Sequence, residues 1–217
     1  MWVRDAIGHL PSDLSLYRRA LTHGSHGDPN YERLEFLGDR VLGLTVAAWL
    51  YDRFPDEPEG KLSRRFNALV SGETCAEVAR DIGVPAQLRL GKQARDDGAQ
   101  QSDNVLGDVV EALIGAAYLG AGLDVAGAFI RRAWEPMVGG QRAAPKHPKS
   151  ALQEWAAAHD CPPPVYTLAA RSGPHHALRF RVTVEVAGKR GGRAEGEGSS
   201  KGEAETAAAK ALLAELA

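Results

Sequence analysis

A chain of 217 residues with 44% hydrophobic and 25% charged residues holds enough apolar matter for a packed core, which excludes a disordered polymer. Cys75 and Cys161 stand far apart and outside any CxxC spacing, excluding a disulfide framework and a cysteine-type zinc site; both read as small buried apolar residues. The net charge of −2 excludes a uniformly basic coat, yet it is uneven: residues 1–145 hold 16 Lys and Arg against 20 Asp and Glu, and residues 146–217 hold 10 against 8. The opening MWVRDAIGHLPSD has no apolar h-region and no run of about 18 apolar residues follows, so a cytoplasmic protein without a membrane span is expected.

In chain order, the first predicted element is NYERLEFLGDR running into LGLTVAAWLYDRF, apolar at three- and four-residue spacing. At about 100° per residue, Glu32, Glu35 and Asp39 fall within an arc of roughly 60°. Leu34, Leu37 and Val41 lie on the opposite side, but Leu42 and Val46 lie on the acids' own side, so the helix is packed around most of its circumference. LSRRFNALVSGETCAEVARDIG follows as a helical pattern, then NVLGDVVEALIGAAYLGAG, where Asp108 and Glu111 are spaced i, i+3 in the most apolar helix, and then LDVAGAFIRRAWEPM. No alternating strand pattern interrupts them, so residues 1–136 are expected to form an all-helical domain.

Carboxylates gathered in a partly dry site repel one another and take up protons unless a cation neutralises them. All-oxygen ligation of that kind suits magnesium or manganese. The alternative is a solvated face or ion pairing with Arg33, Arg40 or Arg64, the ordinary fate of an acid pair on a helix. Gly38 and Gly107, beside the two pairs, permit close helix approach and favour the metal reading. If one ion is held, acids of the two helices should converge on one point.

MVGGQRAAPKHPK, with a Gly pair, two prolines and no periodicity, marks a linker over 137–146. Beyond it, KSALQEWAAAH reads as a helix with Leu152, Trp155 and Ala156 on one face, and PPPVYTLAAR as a short strand. LRFRVTVEV alternates cleanly, with Leu178, Phe180, Val182, Val184 and Val186 on one face; GRAEGEGSS is a weaker strand, and SKGEAETAAAKALLAEL a helix capped by Ser199 or Ser200. Residues 147–217 are thus expected to be an α+β domain of order α-β-β-β-α.

NYERLEFLGDR, EGKLSRRFNALVS and DNVLGDVVEALIGAAYLGAG together resemble the ribonuclease III family, and the C-terminal segment resembles the double-stranded RNA-binding domain. The resemblance covers nearly the whole chain. It implies an endoribonuclease that cleaves both strands of double-stranded RNA with Mg2+, Mn2+ able to substitute, leaving 5′-phosphate and 3′-hydroxyl ends and a short 3′ overhang. Ribosomal RNA precursors and structured messages are the substrates it implies. It assigns Glu35, Asp39, Asp108 and Glu111 as metal ligands, with Asp39 and Glu111 the most critical to catalysis, and Glu32 and Glu59 as supporting acids. Tyr31 and Arg40 occupy variable signature positions and receive no role. A homodimer is implied, with Phe36 entering the partner subunit; an ordinary core aromatic is the equal alternative on sequence.

RNA contacts implied by resemblance are Gln153 and Glu154 on the first helix of the second domain, Pro174 and His175 in SGPHHAL, and Ser200 and Lys201 at the start of the last helix. The last patch departs from the lysine-rich family pattern, with Glu203 and Glu205 following Lys201, which implies fewer released counterions; Lys146, Lys149 and Arg171 are expected to compensate. Two rivals stand beside the nuclease: a non-cutting RNA-binding module, and a metal-dependent nucleotide phosphohydrolase, for which the RNA-binding half has no use.

Overall fold

Leu42, Val46 and Leu50 recur at helical spacing and bury one flank of a long helix, while Leu106, Val109, Val110, Leu113 and Ile114 bury nearly every side of another. These two helices form the centre of the first of two units in the computed structural model, which describes residues 2–140, 147–172 and 179–216. The units are residues Met1–Pro145 and Lys146–Ala217.

The first unit contains α1 (Trp2–Ile7), α2 (Ser15–Ala20), α3 (Glu32–Arg53), α4 (Glu59–Leu69), α5 (Gly72–Asp81), α6 (Lys92–Asp96) and α7 (Asp103–Gly140). Its described residues hold no strand, only an isolated bridge between Thr22 and Arg89. The single helical pattern expected over LSRRFNALVSGETCAEVARDIG is divided: Ser71 adopts an extended conformation and its hydroxyl accepts from the Thr74 N–H at 3.2 Å, capping α5. Gly122, at φ 85°, kinks α7 between its two apolar stretches. The helix runs on through Gly140, four residues into the expected linker, because Val138 buries its side chain in the core; residues 141–146 lie outside the described residues. Among the described helices α7 alone is long and apolar enough to cross a membrane, but it is the helix against which α3 and α5 pack.

Arg65, on α4, is the largest charged group taken into this core. Its side chain is 1% exposed and forks onto Glu57, Nε to Oε2 at 2.7 Å and Nη2 to Oε1 at 2.8 Å, with its guanidinium 3.8 Å above the Phe54 ring. The Arg65 guanidinium holds the Glu57 carboxyl below its ordinary value. The pair therefore contributes fully near neutrality and is lost as pH falls through that lowered value. Arg65→Ala, which strands Glu57 and opens a cavity, is expected to lower the midpoint of thermal unfolding by on the order of 5–10 °C. An unchanged midpoint in calorimetry would show the pair to be idle.

The second unit contains α8 (Pro148–Ala158), β1 (Val165–Ser172), β2 (Arg179–Val186), β3 (Gly192–Gly198) and α9 (Lys201–Leu216). The sheet is antiparallel in the order β1-β2-β3, with Val184 opposite both Tyr166 and Ala194, and a bulge between Leu168 and Ala170. Val182, Val184 and Val186 face inward as their alternation required; Val184 and Val186 meet Leu152 and Ala156 of α8 and Ala208, Ala209 and Leu212 of α9. Leu178 lies outside the described residues. Both serines cap α9: Ser200 Oγ accepts from the Glu203 N–H at 3.2 Å, and the Glu203 carboxylate accepts from the Ser199 N–H at 2.8 Å. The all-helical unit followed by an α-β-β-β-α unit is the architecture expected from the sequence.

Candidate active site

Two glycines bring the acids together. A Cβ on Gly38 of α3 would fall 1.7 Å from the Glu111 carbonyl oxygen of α7, and one on Gly115 of α7 would fall 2.3 Å from the Leu34 carbonyl oxygen. The two backbones touch at this crossing, and no other residue fits either position. Glu35 and Asp39 flank Gly38, while Asp108 and Glu111 lie within two turns of Gly115, so the contact sets the acids of one helix against those of the other. Gly115 escapes the sequence reading. Gly107 also permits a close approach, but to α5: a Cβ there would fall 3.3 Å from the Gly72 carbonyl oxygen and 3.6 Å from the Cys75 Cβ.

The four carboxylates are half-buried and feel one another. Burial, then the charges of Asp39, Glu35 and Asp108, push the Glu111 carboxyl up to about 8, with Arg40 opposing. Burial raises Glu35, followed by Asp108, Glu32 and Asp39. Burial also raises Asp108, against the Tyr31 hydroxyl and the His23 charge. Cys75, buried on α5, is pushed up to about 12, first by burial and then by Glu111, Asp39 and Asp108, so it is an inert thiol.

Convergence on one point, expected from the sequence, is not reached: among the described residues no three acidic, histidine or cysteine side chains meet at coordinating distance. The reason lies in two neighbours, Arg40 and Tyr31, to which the family resemblance gives no role. The Asp39 carboxylate pairs with the adjacent Arg40 guanidinium, which sits 4.5 Å over the Phe36 ring, and Asp108 Oδ2 accepts from the Tyr31 hydroxyl at 3.2 Å. Like charges disperse toward such partners rather than toward one another. Tyr31 precedes Glu35 by one helical turn, a spacing that could have signalled its place. Its hydroxyl is held well above its ordinary pKa by burial, then by the Asp108 charge, and it remains a donor. His23 stands 5.7 Å from the Tyr31 ring. As a donor set, four half-buried carboxylates with no lysine or histidine among them fit a hard divalent cation.

Glu32 is exposed at the start of α3 and adds to the field on Glu35. Glu59 is exposed in the first turn of α4, accepts from the Ser63 hydroxyl at 2.6 Å, and is not among the charges raising Glu35 or Glu111. Phe36 is 64% exposed, so the core-aromatic alternative fails.

In the second unit Gln153 and Glu154 are exposed on α8. Ser200 Oγ accepts from the Glu203 N–H in the α9 cap. Lys201 and Lys149 share Glu205, at 3.8 Å for Lys201, and Lys149 Nζ also lies 4.9 Å from the Tyr166 ring centre, so Lys149 does not supply the free charge expected of it. Pro174, His175 and Lys146 lie outside the described residues.

Residues 13–136 match the family model described as ribonuclease-III-like, and residues 148–216 match the double-stranded RNA binding motif. Ribonuclease 3 of Zymomonas mobilis subsp. mobilis is 62% identical over 216 residues, covering 100% of this chain and 87% of that protein. Ribonuclease 3 of Dinoroseobacter shibae is 48% identical over 215 residues, 98% of this chain and 93% of that one. Among solved structures, the nuclease domain of ribonuclease III from Campylobacter jejuni superposes with a TM-score of 0.60 at 33% identity, covering 62% of this chain and 95% of that one. An acid-lined helical domain joined to a double-stranded RNA-binding motif defines an endoribonuclease that acts on double-stranded RNA. The chain belongs to the ribonuclease III family.

Proposed function

We infer that this endoribonuclease uses Mg2+, with Mn2+ able to substitute, and leaves 5′-phosphate and 3′-hydroxyl ends with a short 3′ overhang. The observation that carries this reading is the Gly38–Gly115 crossing, which sets Glu35 and Asp39 against Asp108 and Glu111 and raises Glu111 to about 8. These four carboxylates would hold the ion. When bound, it supplies positive charge at the scissile phosphate and makes water more acidic. Tyr31 orients Asp108 through its hydroxyl. Asp39 and Glu111 are the catalytic acids of this reading, with Glu32, whose charge acts on Glu35, and Glu59 of α4 as supporting acids.

Residues 1–136, with the end of α7 to Gly140, serve as the nuclease domain, the segment up to 146 as a linker and 147–217 as the RNA-binding domain. In the last, Gln153, Glu154, Pro174, His175, Ser200 and Lys201 contact the duplex. Cytoplasmic processing of ribosomal RNA precursors and structured messages is the physiological role that fits.

Two strands require two sites, and a homodimer supplies them. Support comes from an apolar face on α3, where Phe36, Leu44 and Tyr51 are 64%, 61% and 72% exposed. Phe36 shares a hollow of about 590 Å3 with Leu119, and Leu44 one of about 370 Å3 with Leu123, so the face continues onto α7. Phe36 enters the partner subunit across it. In the Campylobacter jejuni nuclease domain a region is described as involved in dimer formation.

Incubation of the full chain with long duplex RNA tests the reading. Short duplexes with 3′ overhangs are expected in Mg2+ and intact RNA in EDTA. RNA left intact in both would leave a binding module of nuclease ancestry.

A further inference from the structure

Next to the acid crossing the first unit builds a second polar hollow, of about 430 Å3, within the roughly 300–1,000 Å3 typical of small-ligand sites. Three segments wall it: α2 gives Arg18 and Arg19, the connection after α2 gives Thr22 and His26, and the chain before α6 gives Arg89. The Thr22–Arg89 bridge ties the last two together, with the His23 N–H donating to the Arg89 carbonyl at 3.0 Å and the Arg89 N–H to the Leu21 carbonyl at 2.8 Å.

Two of the three guanidiniums are aimed by neutral partners. Arg19 Nε donates to the Asn30 carbonyl at 2.9 Å; Arg89 Nη1 donates to Thr22 Oγ1 at 3.3 Å, and its Nη2 lies 3.0 Å from His26 Nε2. These bonds orient the cations without neutralising them. Arg18 is exposed and has no ion-pair partner among the described residues. Asp28 is the one carboxylate in the wall, and none of the three arginines pairs with it there. Three permanent cations against one carboxylate, gathered in a concavity, form a surplus of positive charge with forked donors that match phosphate.

The hollow is wired to the acids. The Tyr31 N–H donates to the Thr22 carbonyl at 3.0 Å, the Arg19 side chain holds the residue before Tyr31, and the Tyr31 hydroxyl reaches Asp108. We propose that the Arg18–Arg19–Arg89 hollow binds a phosphate group, and that its source is the RNA strand flanking the cut. The RNA assignment rests on the endonuclease reading; binding of a phosphate group does not. A free phosphate compound is the other source of the same chemistry.

The full chain and its Arg18→Glu variant decide this, with Arg18→Gln guarding against a fold effect of the reversed charge. Pyrophosphate, titrated in EDTA and followed by phosphorus NMR and thermal shift, should bind saturably to the parent and not to Arg18→Glu. In duplex cleavage, KM should rise about tenfold with kcat within about twofold, and the slope of log affinity against log salt should flatten by about 0.9 for each phosphate no longer neutralised. Both effects together support the strand as occupant. Pyrophosphate binding abolished while RNA kinetics stay unmoved assigns the hollow to a free phosphate compound. No saturable pyrophosphate binding, with KM and salt slope unchanged, overturns the site. Should the parent fail to cut duplex RNA, the endonuclease reading falls while the pyrophosphate arm still decides the hollow.

Discussion

Glu111→Gln is expected to give a folded protein that still binds duplex RNA and cuts it at least about a thousandfold more slowly than the parent. Gln matches the shape of Glu but carries no charge to hold a divalent ion. In EDTA the same variant should be the more stable of the two. The folded parent keeps the Glu111 proton to about pH 8, whereas the unfolded chain releases it near the ordinary glutamate value. Between those values the folded state holds more protons, so stability falls as pH rises through that window. Gln has no such dependence, and its advantage should reach on the order of 1–2 kcal/mol near pH 8 once solvent screening of a half-exposed group is allowed for. Adding Mg2+ should raise the unfolding midpoint of the parent and leave that of the variant nearly unmoved. Cleavage within tenfold of the parent, or a variant less stable than the parent at pH 8 in EDTA, would remove Glu111 from the site.

The acid stripe is legible in the sequence, while its arrangement is not. Glu32, Glu35 and Asp39 share a helical arc and Asp108 and Glu111 share another because the helical period is fixed by the backbone, so periodicity alone finds both groups. Which residue of α7 meets which residue of α3 depends on the crossing point, and that is set by Gly38 and Gly115, residues without side chains to announce a contact. The roles of Tyr31 and Arg40 were hidden for a related reason: each satisfies a carboxylate through a side chain whose direction depends on the local fold. The break at Ser71 is a cap that outcompetes an unbroken apolar pattern. In the second unit strand alternation was legible, but the sharing of Glu205 by Lys149 and Lys201 joins two helices far apart in sequence. Counting lysines there overstates the charge open to RNA.

The crossing glycine itself gives the second large effect. Gly38→Ala places a methyl group where the Glu111 carbonyl oxygen lies 1.7 Å away, and because that atom is backbone it cannot rotate aside. The helices must part by more than an ångström along the contact that carries the acids. Such overpacking destabilises by about 1–3 kcal/mol or more, and a displacement of that size at a reacting centre costs roughly a hundredfold in rate. Gly43→Ala is the matched control in the same helix, since its Cβ would meet only the Phe66 ring, at 3.6 Å, an ordinary contact. Helix propensity alone then favours Ala by up to about 1 kcal/mol. Opposite outcomes are therefore expected from one chemical change five residues apart: Gly43→Ala as active and at least as stable as the parent, Gly38→Ala less stable and at least about a hundredfold slower on duplex RNA. Thermal unfolding and single-turnover cleavage of the two variants side by side measure this, and a Gly38→Ala protein indistinguishable from Gly43→Ala would mean that the acids do not depend on backbone contact between α3 and α7.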